Sequence, residues 1–122
     1  NLNNCVFLPG SSTSVFDEIA SARLFVLSSD YEGMPNALIE AMCLGLPCVS
    51  TRVSGATDLV QNGENGILVD VDDKEGLYLA MDSFIEDSSL REKCSTAAVE
   101  LNKKLDVTYI MGIWLKYLEN FE

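Results

Sequence analysis

Two carboxylates bracket a short segment with the makings of a ligand site: Glu32 and Glu40 enclose Gly33-Met34-Pro35-Asn36-Ala37-Leu38-Ile39. Pro35 suits the first position of a helix, so the segment runs from a loop into opening helical turns. Backbone N–H groups near Asn36, Ala37 and Leu38 are then unpaired within the helix and carry the positive end of its dipole. They form an anion site that needs no basic side chain. Glu32 stands in the loop just before it, and Glu40 lies on the same helical face as Asn36, one turn further along. From Pro35 to Glu40 the helix axis advances roughly 7 Å. That spacing suits a ligand with phosphates at the helix tip, a sugar toward Glu32 and a ribose alongside Glu40. Singly, each glutamate reads as a solvated surface charge and Asn36 as a helix-start residue; only their combination points to a ligand.

The elements that hold these groups follow from the apolar pattern. Cys5-Val6-Phe7-Leu8, Leu24-Phe25-Val26-Leu27, Cys48-Val49-Ser50 and Gly66-Ile67-Leu68-Val69 are continuous runs, as in strands covered on both faces. Between them the pattern turns helical: a short helix around Val15 to Ala20 capped by Ser14 or Asp17, a clear one from Pro35 to Leu44 ended near Gly45, and a short one from Ala56 to Gln61. This alternation predicts an α/β fold, a Rossmann-like parallel sheet flanked by helices. After Asp70 only helices are expected, over about Lys74 to Ile85, Ser88 to Leu105 and Val107 to the end, with Asp72-Asp73 and Ser88 as N-caps. The last helix carries Val107, Met111, Trp114, Leu118 and Phe121 on one stripe, widened by Ile110 and Leu115. The stripe either docks onto the chain's own sheet or belongs in part to a partner domain.

In open α/β sheets ligands sit beyond the carboxyl ends of the strands, which directs attention to the loops after Leu8, Leu27 and Ser50. The second holds the glutamates. Arg52, just past the third run, is the only cation nearby and reads as a surface residue.

With 122 residues and 48% hydrophobic content the chain supports one domain with one modest core. The net charge of -11 disfavours nucleic acid and anionic lipid as direct partners, and opposes a nucleotide diphosphate unless local donors hold it. No window approaches a membrane span, and the start has neither a basic head nor an apolar signal core, so the expectation is a soluble, cytoplasmic protein. Cys5, Cys43, Cys48 and Cys94 lack metal-ligand spacing and no histidine completes a zinc set, so they read as reduced core thiols. The absence of histidine also removes Ser-His and Cys-His nucleophiles.

The run Tyr31-Glu32-Gly33-Met34-Pro35-Asn36-Ala37-Leu38-Ile39-Glu40-Ala41-Met42, with its E-x7-E pattern, resembles glycosyltransferase family 4, the retaining nucleotide-sugar transferases of the GT-B fold. Four flanking blocks agree in order: Val6 to Gly10, Leu24 to Ser29, Gly45 to Thr51 and Asn62 to Val69. The resemblance is close over about Val6 to Val69 and loose in the helical tail. It implies that Glu32 contacts donor-sugar hydroxyls and takes the catalytic role, that the amides of Gly33, Met34, Asn36 and Ala37 hold the diphosphate, that Glu40 contacts the ribose, and that Gly10 lies near the base. For Gly10 a plain turn is an equal alternative. It further implies transfer without a metal or other cofactor, the leaving diphosphate being stabilised by donors.

The same resemblance implies that residues 1–122 form part of a C-terminal donor-binding domain, without its first strand and helix units and without the N-terminal acceptor domain. The family's diphosphate-clamping basic residues and active-site histidine lie in those other parts. On this reading the chain alone is inactive, its partners are a nucleotide-sugar donor and the N-terminal domain, self-association of the isolated chain is expected, and any membrane association is peripheral, through the other domain. One other enzyme class and one binding module compete: a GT-B-type epimerase, which lacks these blocks, and a receiver-like module with Asp30 as phosphoacceptor, for which the acidic pair and lysine are missing. A non-catalytic homologue is opposed by the presence of both glutamates.

Overall fold

The computed structural model describes residues 4–120. Three strands, β1 (Phe25–Leu27), β2 (Cys48–Thr51) and β3 (Ile67–Val69), form a parallel sheet in the order β1-β2-β3, with Val26 beside Val49 and Val49 beside Ile67. Around it lie α1 (Val15–Ile19), α2 (Asn36–Cys43), α3 (Ser54–Leu59), α4 (Lys74–Glu86), α5 (Ser88–Val99), α6 (Leu101–Leu105) and α7 (Val107–Glu119).

All four residues of β2 are buried, which is why it reads without alternation. Its side chains nonetheless part between two cores. Cys48 packs with Leu38, Ala41, Met42 and Ala56 of α2 and α3, whereas Val49 packs with Ala80, Phe84 and Cys94 of α4 and α5. Both faces of the sheet are thus covered, as the continuous runs predict.

Helix α2 buries Leu38, Ala41 and Met42, spaced three and one apart on a single face. Gly45, at φ +75°, ends it: its amide donates to the Met42 carbonyl (2.9 Å) and the Leu46 amide to the Ala41 carbonyl (3.0 Å), a paired closure that a left-handed residue permits. Aspartates open the later helices. Asp73 accepts from the Gly76 amide (2.8 Å), Asp87 from Leu90 (2.9 Å) and Asp106 from Tyr109 (3.0 Å), each cap contributing about 1 kcal/mol.

Several expectations need correction. Val6-Phe7-Leu8 forms no strand: these residues are exposed, at 56%, 84% and 88%, and no strand among the described residues pairs with them. An apolar run becomes a strand only when a neighbour takes its backbone hydrogen bonds and a layer covers its side chains. Cys5 shares that run and is exposed, whereas Cys48 and Cys94 are buried and Cys43 half-buried. Ser14 precedes α1 but makes no side-chain cap. Ser88 is the first residue of α5, and Asp87 is its cap, because a carboxylate one position earlier reaches the free amide. The long helix expected through Leu105 is divided at Glu100 into α5 and α6.

Helix α7 does not dock on the sheet. It packs chiefly against α6 and buries no residue, since α2 and α3 already fill one face and α4 and α5 the other. Phe121 of its expected stripe lies outside the described residues. No helix among the described residues is long and apolar enough to cross a membrane.

Candidate functional site

The chain leaves β1 at Leu27 and enters α2 at Asn36 through a loop pinned from the side by β2. Thr51, buried at the end of β2, donates its hydroxyl to the Ser29 carbonyl at 2.5 Å. The Ser29 hydroxyl in turn donates to Glu32 Oε1 at 2.8 Å. Glu32 is half-buried and thereby held to the strand end instead of trailing in solvent. Glu40 is half-buried on α2.

Between the glutamates the peptide donors divide. The Asn36 amide donates to the Met34 carbonyl (3.0 Å), and Leu38 and Ile39 both donate to the Pro35 carbonyl (3.0 and 3.1 Å). Asn36 and Leu38 are therefore not the free donors expected of them, because the loop folds back to cap its own helix. The amides of Gly33, Met34 and Ala37 make no hydrogen bond among the described residues, and all three residues are exposed. Three unengaged donors thus lie on exposed residues at the N-terminal end of α2, in the stretch between Glu32 and Glu40.

A second helix braces this loop. Gly55, in the first turn of α3, lies so near that a Cβ placed on it would stand 2.2 Å from the Gly33 carbonyl oxygen and 2.6 Å from Pro35 Cδ. Beside the loop, a cavity of about 210 Å³ opens at the carboxyl ends of all three strands, lined by Ser28, Asp30, Thr51, Asp70, Asp73 and Lys74 among others. Neither Glu32 nor Glu40 lines it. Thr51 connects the two features, lining the cavity while its hydroxyl holds Ser29.

The electrostatics are sparse. Arg52 is exposed and pairs with Asp70 (Nε to Oδ1, 3.0 Å), so it behaves as the surface residue expected. It is not the only cation nearby, because Lys74 lines the strand-end cavity. Among the described residues no group of three or more His, Cys, Asp or Glu side chains converges to hold a metal ion. Gly10 adopts φ +79° with open space where a side chain would stand, a backbone geometry that favours glycine.

Residues 1–101 match the family described as glycosyl transferases group 1. The chain belongs to the group 1 glycosyl transferases. Over 119 residues, 97% of its length, this group 1 chain is 32% identical to the N-acetylgalactosamine-N,N'-diacetylbacillosaminyl-diphospho-undecaprenol 4-alpha-N-acetylgalactosaminyltransferase of Campylobacter jejuni, covering 33% of that protein. The crystal structure of HepE from Anabaena in complex with UDP superposes with a TM-score of 0.89 at 26% identity, over 98% of this chain and 33% of that one. The C-terminal domain of the group 1 protein LpcC from Francisella tularensis shares the fold, with a TM-score of 0.72 at 22% identity over 82% of this chain and 51% of that one. The architecture is that of GT-B C-terminal domains. The group 1 chain spans about a third or less of the curated relatives it matches first, 22% and 33% of their lengths.

Sequence reasoning missed Ser29 and Thr51, whose hydroxyls orient the glutamate loop, and Gly55, which braces it. It also left out the loop after β3, which supplies Asp70, Asp73 and Lys74 to the cavity, although the rule that ligands lie beyond strand ends covers that strand as well.

Proposed function

We propose that this group 1 glycosyl transferase chain is the donor-binding part of a retaining enzyme that transfers a sugar from a nucleotide-diphosphate sugar to a glycan, lipid or other acceptor, as in polysaccharide or glycolipid biosynthesis. The observation that carries the reading is the row of unengaged amides at Gly33, Met34 and Ala37, set between Glu32 and Glu40. Backbone donors at a helix start attract a diphosphate without a cationic side chain, which suits a chain of net charge -11. HepE, a neighbour with the same fold, is seen in complex with UDP.

On this reading Glu32, tethered by Ser29, accepts hydroxyls of the donor sugar and stabilises positive charge as the glycosidic bond breaks. The amides stabilise the leaving diphosphate, and Glu40 accepts from the ribose. Gly10 lies toward the base. No metal or other cofactor takes part; the remaining basic donors belong to the first strand and helix units of the same donor-binding domain, and the histidine and the acceptor site to an N-terminal domain of the same protein. Residues 1–122 alone are inactive, and the complete protein works in the cytoplasm, peripheral to the membrane if it touches it.

Thermal shift of the complete parent protein against UDP, GDP and ADP sugars tests the proposal, since a ligand specific to the native state raises the melting temperature. One nucleotide class is expected to stabilise it by several degrees, with the free diphosphate retaining most of the effect. Stabilisation by none of them overturns the reading.

A further inference from the structure

Building on the donor-site reading of Glu32, we infer that Ser29 and Thr51 are positioning residues for that carboxylate, acting as a two-step hydroxyl relay from the buried sheet to the donor sugar. Thr51 Oγ1 is anchored in β2, a strand buried along its whole length, and donates to the Ser29 carbonyl at 2.5 Å. That bond fixes the backbone at the point where the chain leaves β1. Ser29 Oγ then donates to Glu32 Oε1 at 2.8 Å.

The consequence lies in what remains available on the carboxylate. A carboxylate has two oxygens and about four acceptor sites, and a serine hydroxyl has one proton to give. With that proton committed to Oε1, Oε2 keeps its full capacity to accept from sugar hydroxyls, and the side chain is held in one orientation before the donor arrives. A glutamate at the mouth of a loop otherwise samples many rotamers, and ordering them opposes productive binding. The relay removes that reordering from the catalytic cycle. Because the carboxylate matters most when positive charge develops on the sugar, the effect belongs to the transition state more than to ground-state donor binding. Among the described residues Glu40 has no such tether, so the relay is specific to the sugar end of the site.

The test uses the complete enzyme and whichever of UDP-glucose, UDP-N-acetylgalactosamine and GDP-mannose stabilises it most. Ser29→Ala is expected to lower kcat by about tenfold with little change in donor KM, the loss of one hydrogen bond to a charged group. Ser29→Thr and Thr51→Ser, which keep the hydroxyls, retain most of the rate, and Thr51→Val behaves like Ser29→Ala in weaker form. The decisive measurement is the pair. If Ser29 acts through Glu32, adding Ser29→Ala to Glu32→Gln costs little more than Glu32→Gln alone. Affinity for the matching free nucleoside diphosphate stays near wild type throughout, which a general loss of folding would not leave intact. Wild-type kcat in Ser29→Ala, or penalties that multiply in the double variant, overturns the relay while Glu32→Gln still reports on the donor site. Wild-type kinetics in Glu32→Gln removes the donor-site reading itself, and the relay with it.

Discussion

Gly55 and the Gly33 carbonyl stand so close that a methyl group on Gly55 would come within 2.2 Å of that oxygen. The neighbour in question is backbone, which cannot swing aside as a flexible side chain would. Gly55→Ala must therefore push the loop that carries the free amides. Overpacking of this kind costs about 1 to 3 kcal/mol. The expected outcome is a comparable loss of stability in urea denaturation together with weakened nucleoside-diphosphate affinity. Full affinity in Gly55→Ala would show that the loop position does not govern the anion site.

Glu32 and Glu40 are expected to fail differently. Replacement of either by glutamine preserves shape but removes a charged acceptor, and a hydrogen bond to a charged group contributes about 1.5 to 3 kcal/mol, or roughly tenfold to more than a hundredfold in kcat/KM. Glu40→Gln should act mainly on donor binding and weaken free nucleoside diphosphate as well. Glu32→Gln should act mainly on turnover and leave that diphosphate almost unaffected, since it has no sugar to hold. Steady-state kinetics and calorimetric titration in the complete enzyme separate the two, and wild-type values in both would make the glutamates plain surface charges.

Cys48 gives the fold an alkaline limit. Burial, with a smaller contribution from Cys94, pushes its thiol up from the ordinary 9.0 to about 12. The folded state thus keeps a proton that the unfolded chain releases. Stability from this group is complete below pH 9 and is lost as pH rises toward 12, because there the unfolded chain binds fewer protons than the folded one. Within that window the wild type should lose stability about 1.4 kcal/mol per pH unit more steeply than Cys48→Ala. Urea midpoints across the alkaline range check the slope difference; parallel slopes would mean that the folded thiolate is tolerated. Maleimide at neutral pH should label Cys5, which is exposed, well before Cys48.

Helix α7 leaves Met111, Ile113, Trp114, Leu115 and Leu118 each more than half exposed. The accessible surface of the chain is 8544 Å², about 2,000 Å² above the value expected for a folded monomer of this mass. That excess is of the size of one face of an obligate interface. Residues 1–122 on their own should therefore self-associate with rising concentration, shifting Trp114 emission to the blue, and Ile113→Glu should suppress both effects. Light scattering that shows a monomer at millimolar concentration would contradict this expectation.

The sequence by itself determined the parts whose causes are local or periodic. The runs at Phe25–Leu27, Cys48–Thr51 and Ile67–Val69 became parallel strands, because uninterrupted apolar residues demand cover on both faces. Helix α2 was legible in the spacing of Leu38, Ala41 and Met42 and in the stop at Gly45, and the stretch from Glu32 to Glu40 was legible as a loop running into a helix start.

What only the tertiary structure decided depended on groups distant in the chain. Val6 to Leu8 has the composition of a strand, but strand formation needs a partner along its edge, which composition does not specify. The stripe on α7 was readable, whereas what covers it was not, since both sheet faces were filled by other helices. Whether Asn36, Leu38 or Ala37 offered a free amide turned on the Met34 and Pro35 carbonyls folding back over the helix start. The tether on Glu32 runs through Ser29 to Thr51, and the brace on Gly33 comes from Gly55. Each joins residues about twenty positions apart that only the crossover from β1 to β2 brings into contact.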